Sequence, residues 1–252
     1  MRLGRRKLIL AAIVMVASSV FVLNKNVSIV QGVDHHYRVI KMPLYVKWIQ
    51  FLSRHYEYAR LTKEIVNASI ADEEKVIKIF NWTHANIRKV PDGMPVVDDH
   101  VLNIIIRGYG TSDQSEDVFT TLCDYAGISA FWDILFDKEH KIRYPISYVK
   151  ISGRWCVFDA YHDRYFKNKK GEIASIEDLI NDKSIIGNAP IGDIKYNGIP
   201  YREFYYDLKS VNVNRTLRPA KQKPLGRIIF EMKKVLGIEK ETEDEKNIRH
   251  RT

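Results

Sequence analysis

Three residues carry the chemistry this sequence can offer: Ser112, Tyr144 and Asp159. Ser112 follows the turn Gly108-Tyr109-Gly110-Thr111 and opens a helical pattern. Tyr144 stands in strand-like sequence, and Asp159 closes the next such stretch, Gly153-Arg154-Trp155-Cys156-Val157-Phe158-Asp159. A glycine turn that feeds a helix N-terminus, followed by a hairpin that ends in a carboxylate, is a layout that can build a site of a nucleophile, its base and the group that orients the base. The residue types disarm it. A serine hydroxyl needs a base to take its proton, and a phenol, with an ordinary pKa near ~10, is a poor base at neutral pH.

Four other side chains could stand in. His140 lies four residues before Tyr144, about 13 Å along an extended strand and too far without refolding the turn. His162 has the opposite parity from Asp159 and belongs on the other sheet face if the strand continues. Cys123 sits three helical turns from Ser112, about 16 Å away. Glu116, one turn after Ser112, could pair with Asp113 or Asp159 in an acid-type site, yet acids at a helix start are already accounted for by the helix dipole.

The elements that must position these groups are a helix and a hairpin. From Ser112 the apolar residues Val118, Phe119, Leu122, Cys123 and Ala126 form one stripe, and Gly127 is a natural C-terminal stop. Ser112 falls at or near the N-cap, where serine is preferred for capping alone. Residues 128–136 read as a strand and residues 137–141 as a turn. Strands over 143–151 and 154–159 then flank Ser152-Gly153, a tight-hairpin signal. A two-residue turn pairs Ile151 with Arg154 and sets Ile146 opposite Asp159. Tyr144 then lies on the same sheet face as Asp159, a diagonal neighbour at about 7–8 Å.

Around this unit, residues 24–38 read as a polar connection. Leu44, Trp48, Phe51, Leu52, Tyr56, Leu61 and Ile65 recur at helical spacing. Ser69 with Asp72 resembles a capping-box start for the stripe Val76, Ile79, Phe80, Thr83 and Ile87, which Pro91, Gly93 and Pro95 end. Residues 98–106 suit a short helix. After Asp159 a short helix starts at Ser175, an aromatic-rich run over 196–206 reads as core or edge packing, and residues 224–238 form a basic amphipathic helix.

The Gly-x-Gly turn, the helix ending in Ala126-Gly127-Ile128 and the Gly-x-Trp-x-x-x-Asp hairpin together resemble the transglutaminase-like branch of the papain-like cysteine enzymes, over about residues 72–162. In that family the helix opens with a nucleophilic Cys, the first hairpin strand brings a His fifteen residues before the Asp, and the chemistry is acyl transfer or amide hydrolysis through a thioester. Those positions here read Ser112, Tyr144 and Asp159. The resemblance implies an α+β fold, with the nucleophile-position helix packed on an antiparallel sheet. It does not carry the activity over, because losing the thiol and the base together leaves neither a serine hydrolase nor a thiol enzyme. The expected function is a non-catalytic domain that binds a peptide or glycan in the degenerate cleft, of a kind often found beside cell-envelope or surface-polysaccharide genes in bacteria. An enzyme using Ser112 and Asp159 with a base from elsewhere, and an adaptor working through the basic C-terminal helix, are the alternatives.

Composition bounds the rest. The chain has 252 residues, 45% of them hydrophobic, enough for one sizeable core. Its net charge of +9 sits at the ends, in Arg2, Arg5, Arg6 and Lys7 and in residues 215–252, which leaves 8–214 neutral and argues against a nucleic-acid partner. Cys123 and Cys156 read as buried small residues ahead of a single bridge, and the eight His show no metal-site spacing, so neither metal nor cofactor is expected. Residues 8–23 are sixteen uncharged, mostly apolar residues behind a basic start. They read as a signal anchor or a signal peptide, placing the remainder outside the cytoplasm, tethered if uncleaved and secreted if cleaved. The domain reading is therefore 1–23 anchor or signal, 24–41 linker, 42–213 transglutaminase-like domain, and 214–252 basic helix and tail.

Overall fold

A computed structural model describes residues 2–33, 36–66, 71–98, 100–137, 142–189, 195–206, 208 and 223–235. The chain divides into two compact units, Met1–Arg54 with Glu241–Thr252, and His55–Lys240.

In the first unit, α1 (Arg2–Leu23) takes up the apolar run, with Leu8, Met15 and Phe21 exposed. The spanning anchor expected from this run is not supported: among the described residues no helix is long and apolar enough to cross a membrane. The sixteen uncharged, mostly apolar residues 8–23 rise only about 24 Å against a hydrocarbon core of about 30 Å. The stretch expected to be a polar linker is instead an antiparallel hairpin, β1 (Asn26–Val33) on β2 (His36–Pro43), in register from Asn26↔Pro43 to Val33↔His36. The helical spacing after it forms α2 (Leu44–Ile65).

The second unit is α+β. Its elements in order are α3 (Asp72–Asn86), β3 (Arg88–Lys89), β4 (Val97–Asp98), α4 (Val101–Arg107), β5 (Tyr109–Gly110) and α5 (Ser112–Tyr125). There follow β6 (Ala130–Asp137), β7 (Ile142–Ile151), β8 (Arg154–Asp159), β9 (Arg164–Tyr165), α6 (Ile176–Asn181) and α7 (Ser184–Asn188). The chain then continues through β10 (Lys195–Tyr196), β11 (Ile199–Pro200), α8 (Glu203–Tyr206) and α9 (Pro224–Val235).

The stripe Val76, Ile79, Phe80 and Thr83 buries one face of α3. Ala71 stands at its N-cap position, and Ser69 lies outside the described residues. Gly127, at φ +83°, ends α5, where the Ile128 N–H reaches back to the Cys123 carbonyl at 3.0 Å. Strands β6-β7-β8-β9 form an antiparallel sheet in that order, and the β7–β8 register runs from Ile151↔Arg154 to Ser147↔Phe158. Ser152 and Gly153, at φ +49° and +83°, close this hairpin with both turn residues left-handed, the twist that two-residue connections require. A parallel pair β3–β5 holds the turn before Ser112 in place.

Alternation along the strands divides the core in two. Val149, Ile151, Cys156 and Phe158 pack with Phe80 of α3 and Phe119 and Leu122 of α5. Tyr144, Ile146, Tyr148 and Val157 pack with Ile176 and Leu179 of α6, Ile186 of α7, and Tyr201, Phe204 and Tyr205. The sheet is thus covered on both faces. The expected aromatic run over 196–206 is one of the covers.

Candidate functional site

Asp159 ends β8 on the same sheet parity as Val157, and therefore on the side to which Tyr144 projects. The Tyr144 phenol donates to Asp159 Oδ2. Both residues are out of solvent, Tyr144 at 0% and Asp159 at 1% exposure. Burial above all, then the neighbouring Tyr205 and the Asp159 carboxylate, pushes the Tyr144 phenol well above its ordinary range. A phenol so held keeps its proton. It is a donor here and not a base.

An imidazole completes the cluster. His162 Nδ1 lies 3.0 Å from Asp159 Oδ2 and 3.1 Å from the Tyr144 hydroxyl, while the His162 backbone N–H donates to Asp159 Oδ1 at 2.9 Å. The tautomer with Nδ1 protonated satisfies the carboxylate, and we assign it on that ground. The sequence reading sent His162 to the opposite face on the condition that the strand continued past Asp159. It does not: residues 160–163 turn, Asp163 adopts φ +56°, and the carboxylate captures the N–H three residues on. This is the local side-chain-to-backbone bond that makes Asp a turn former. His140 lies outside the described residues.

Ser112 is the first helical residue of α5, and the N-cap is Thr111, so the capping role expected of Ser112 belongs to its neighbour. The Gln114 side chain turns back to accept from the Thr111 N–H at 3.2 Å and takes Arg107 Nη2 at 2.6 Å. A Cβ at Gly110 would stand 3.0 Å from that same Gln114 oxygen, which accounts for the second glycine of the turn. Freed from capping, Ser112 Oγ sits 3.3 Å from the hydroxyl of Tyr196. The Tyr196 ring in turn meets Tyr144 edge-on, with centroids 4.8 Å apart, and Phe204 stacks on Tyr144 at 4.6 Å. The three sequence-predicted residues are thus brought together unevenly. Tyr144 and Asp159 bond directly, whereas Ser112 faces them through an intervening tyrosine from β10.

Glu116, which the sequence reading weighed as a partner for Asp113 or Asp159 and set aside as a helix-start acid, belongs to the same cluster. It is fully buried, with Ser147 Oγ donating to Oε2 and the backbone N–H groups of Ala160 and Tyr161 donating to Oε1 at 2.7 and 3.2 Å. Burial, then the nearby Asp159 carboxylate, pushes the Glu116 carboxyl well above its usual range. Its position one turn into α5 suggested a solvated acid near the helix start, but its side chain instead ties α5 to the loop after β8. Cys123 and Cys156 are buried, unbridged thiols. Burial raises Cys123 well above its ordinary value and Cys156 to about 11, so both stay in the unreactive thiol form. Among the described residues no group of three or more His, Cys, Asp or Glu could hold a metal ion.

No protein-family model matches the chain, and no curated protein matches it in sequence. Among solved structures it is similar to a candidate cysteine protease from Cytophaga hutchinsonii (17% identity, TM-score 0.34, 41% of this chain and 36% of that one). It is also similar to a candidate protease from Parabacteroides distasonis (13% identity, TM-score 0.35, 53% of this chain and 35% of that one). The chain spans about a third of the length of each of these two proteins.

Proposed function

We propose that this protein is a transglutaminase-like domain that has left acyl chemistry and works by binding a peptide or glycan. One observation carries the reading: the polar groups at the candidate site are spent on one another. Asp159 accepts from Tyr144 and twice from His162, and Ser112 faces the Tyr196 hydroxyl. A nucleophilic serine requires an unprotonated nitrogen or oxygen at its Oγ to take the proton. Here the neighbour is a phenol, itself a poor base at neutral pH.

The aromatic residues Tyr196, Tyr201, Phe204 and Tyr205 pack around the Tyr144 ring, so the ligand surface of this reading is the rim around that cover. A second reading, a serine-dependent hydrolase, draws on one observation: with Nδ1 protonated toward Asp159, the lone pair of the His162 imidazole stands on Nε2, the nitrogen a general base would use. The two readings part at Ser112. Incubated with peptide amides and a primary amine donor, the full chain and Ser112→Ala are expected to release ammonia at the same background rate. Turnover that disappears in Ser112→Ala would overturn the non-catalytic reading and favour the second.

An extracytoplasmic location belongs to the same reading, motivated by the basic residues Arg2, Arg5, Arg6 and Lys7 ahead of the apolar run. Export with cleavage after that run is the form expected. N-terminal sequencing of the protein recovered outside the cytoplasm checks it, and intact protein confined to the cytosol would rule it out.

A further inference from the structure

We propose that α9 (Pro224–Val235) is a surface helix that lays an exposed apolar row on an anionic lipid bilayer. Leu225, Ile228 and Ile229 are 70%, 43% and 46% exposed. Their spacing of i, i+3 and i+4 puts them on one face of the helix. Position 232, one turn further along the same row, is Met. A lone exposed apolar residue is ordinary, but a contiguous row of them marks a binding face.

The helix is held by its other side. Lys223, just ahead of its first turn, donates to the Asp124 carbonyl at 2.8 Å and pairs with the Asp124 carboxylate at 3.2 Å. The same ammonium lies over the Tyr125 ring, 5.6 Å from its centroid. Lys223, Gly226 and Arg227, again at i, i+3 and i+4, are half-buried, and at 3.6 residues per turn they fall opposite the apolar row. The end of α5 thus takes the basic side of α9 and leaves the apolar side to solvent. A helix whose task is to complete its own domain's core packs the other way round.

Charge selects the occupant. Residues 221–235 carry Lys221, Lys223, Arg227, Lys233 and Lys234 against Glu231 alone, whereas residues 8–214 are neutral. Lys233 is exposed and stands four residues beyond Ile229, at the edge of the apolar row. From there its methylene stem can lie along acyl chains while the ammonium stays at the level of the phosphates. A second copy of this chain would bring two such basic segments together, and like charges repel. An anionic bilayer meets the apolar row and the cations at once. The twelve residues of α9 rise about 18 Å, too short for a hydrocarbon core of about 30 Å. The helix therefore lies in the plane of the interface and does not cross it.

Leu225→Cys in the full chain, carrying an environment-sensitive dye, reads the apolar face directly, since Cys123 and Cys156 are buried. Phosphatidylglycerol vesicles are expected to shift its emission to the blue, and spin-labelled acyl chains to quench it. Phosphatidylcholine vesicles should need about tenfold more lipid for the same change. Reversing two charges with Lys233→Glu and Lys234→Glu is expected to weaken the phosphatidylglycerol response about tenfold or more, and Ile229→Asp to weaken it as well. Lys233 and Ile229 are exposed, and none of these changes touches α1, so lipid binding by α1 is common to all the variants. No shift, an equal response to the two lipids, or an unchanged response in the variants overturns the proposal. A shift that grows with protein concentration without lipid overturns it too, in favour of self-association. Turnover at Ser112 is read in a separate assay, so this proposal and the non-catalytic reading fail independently.

Discussion

Glu116→Ala is expected to lower the stability of the fold by about 3–5 kcal/mol, since a buried, fully bonded carboxyl group is removed and each buried donor it leaves stranded costs about 1–3 kcal/mol. Three donors lose their acceptor at once: the Ser147 hydroxyl and the N–H groups of Ala160 and Tyr161. The first two cannot turn to water, because Ser147 is at 0% exposure and Ala160 at 1%. The same bonds anchor the turn that follows Asp159, so their loss also loosens the position of His162. Urea denaturation of the full chain and the variant measures the difference.

Glu116→Gln separates the shape of this side chain from its charge. Burial and the Asp159 carboxylate raise the folded-state pKa of Glu116 above that of the unfolded chain. A group shifted in that direction gives its full contribution below the unfolded value and loses it as pH rises through the folded value. Glutamine has no proton to lose. The stability of the natural protein relative to Glu116→Gln is therefore expected to fall as pH rises from the ordinary glutamate range upward, by at most about 1.4 kcal/mol per pH unit. A difference that is flat with pH, or that grows, would show that the carboxyl is not held protonated by its surroundings.

What the sequence made legible was whatever depends on near neighbours. The two-residue turn at Ser152-Gly153 dictates the β7–β8 register, and parity along those strands then places Tyr144 beside Asp159. The stripe through Val118, Phe119 and Leu122 places α5 on the sheet. The misreadings share a cause as well. His162 depended on where a strand stops, and nothing in the period-two pattern marks that stop, because an Asp side chain and a backbone N–H create it together. Glu116 fitted a surface rule for helix starts, and only the sheet it meets, 31 residues on at Ser147, reveals it as buried. Tyr196 reaches Ser112 across 84 residues. Its aromatic surroundings announce packing but not the partner. The β1–β2 hairpin was missed because residues 24–38 mix polar and apolar types without a clear turn signal.

Asp159→Asn is the variant that weighs the whole cluster, and it is expected to cost about 3–5 kcal/mol. The carboxylate accepts from Tyr144 and from His162 Nδ1 on one oxygen and from the His162 N–H on the other. An amide offers only one accepting oxygen. Turned one way, its NH₂ confronts the fixed His162 N–H at a site of 1% exposure, where water gives no relief; turned the other way, the Tyr144 hydroxyl and the His162 imidazole must both give up donating to it. Tyr144→Phe removes one donor and keeps the ring stacked on Phe204, so its cost should be smaller, about 1–3 kcal/mol. Because both changes act on one oxygen, the double variant should lose less than the sum of the two. The charge matters beyond these bonds: without Asp159 beside it, Glu116 ionises at lower pH, and its pH-dependent loss of stability should move down with it. The serine-hydrolase reading expects something different, a fall in turnover of about 10⁴ from the loss of the group that orients the imidazole. If the cluster is a structural keystone, urea titration records the loss and an amidase assay records nothing. If Asp159→Asn folds within about 0.5 kcal/mol of the natural protein, the range of ordinary surface substitutions, the carboxylate is not what holds this corner of the molecule together.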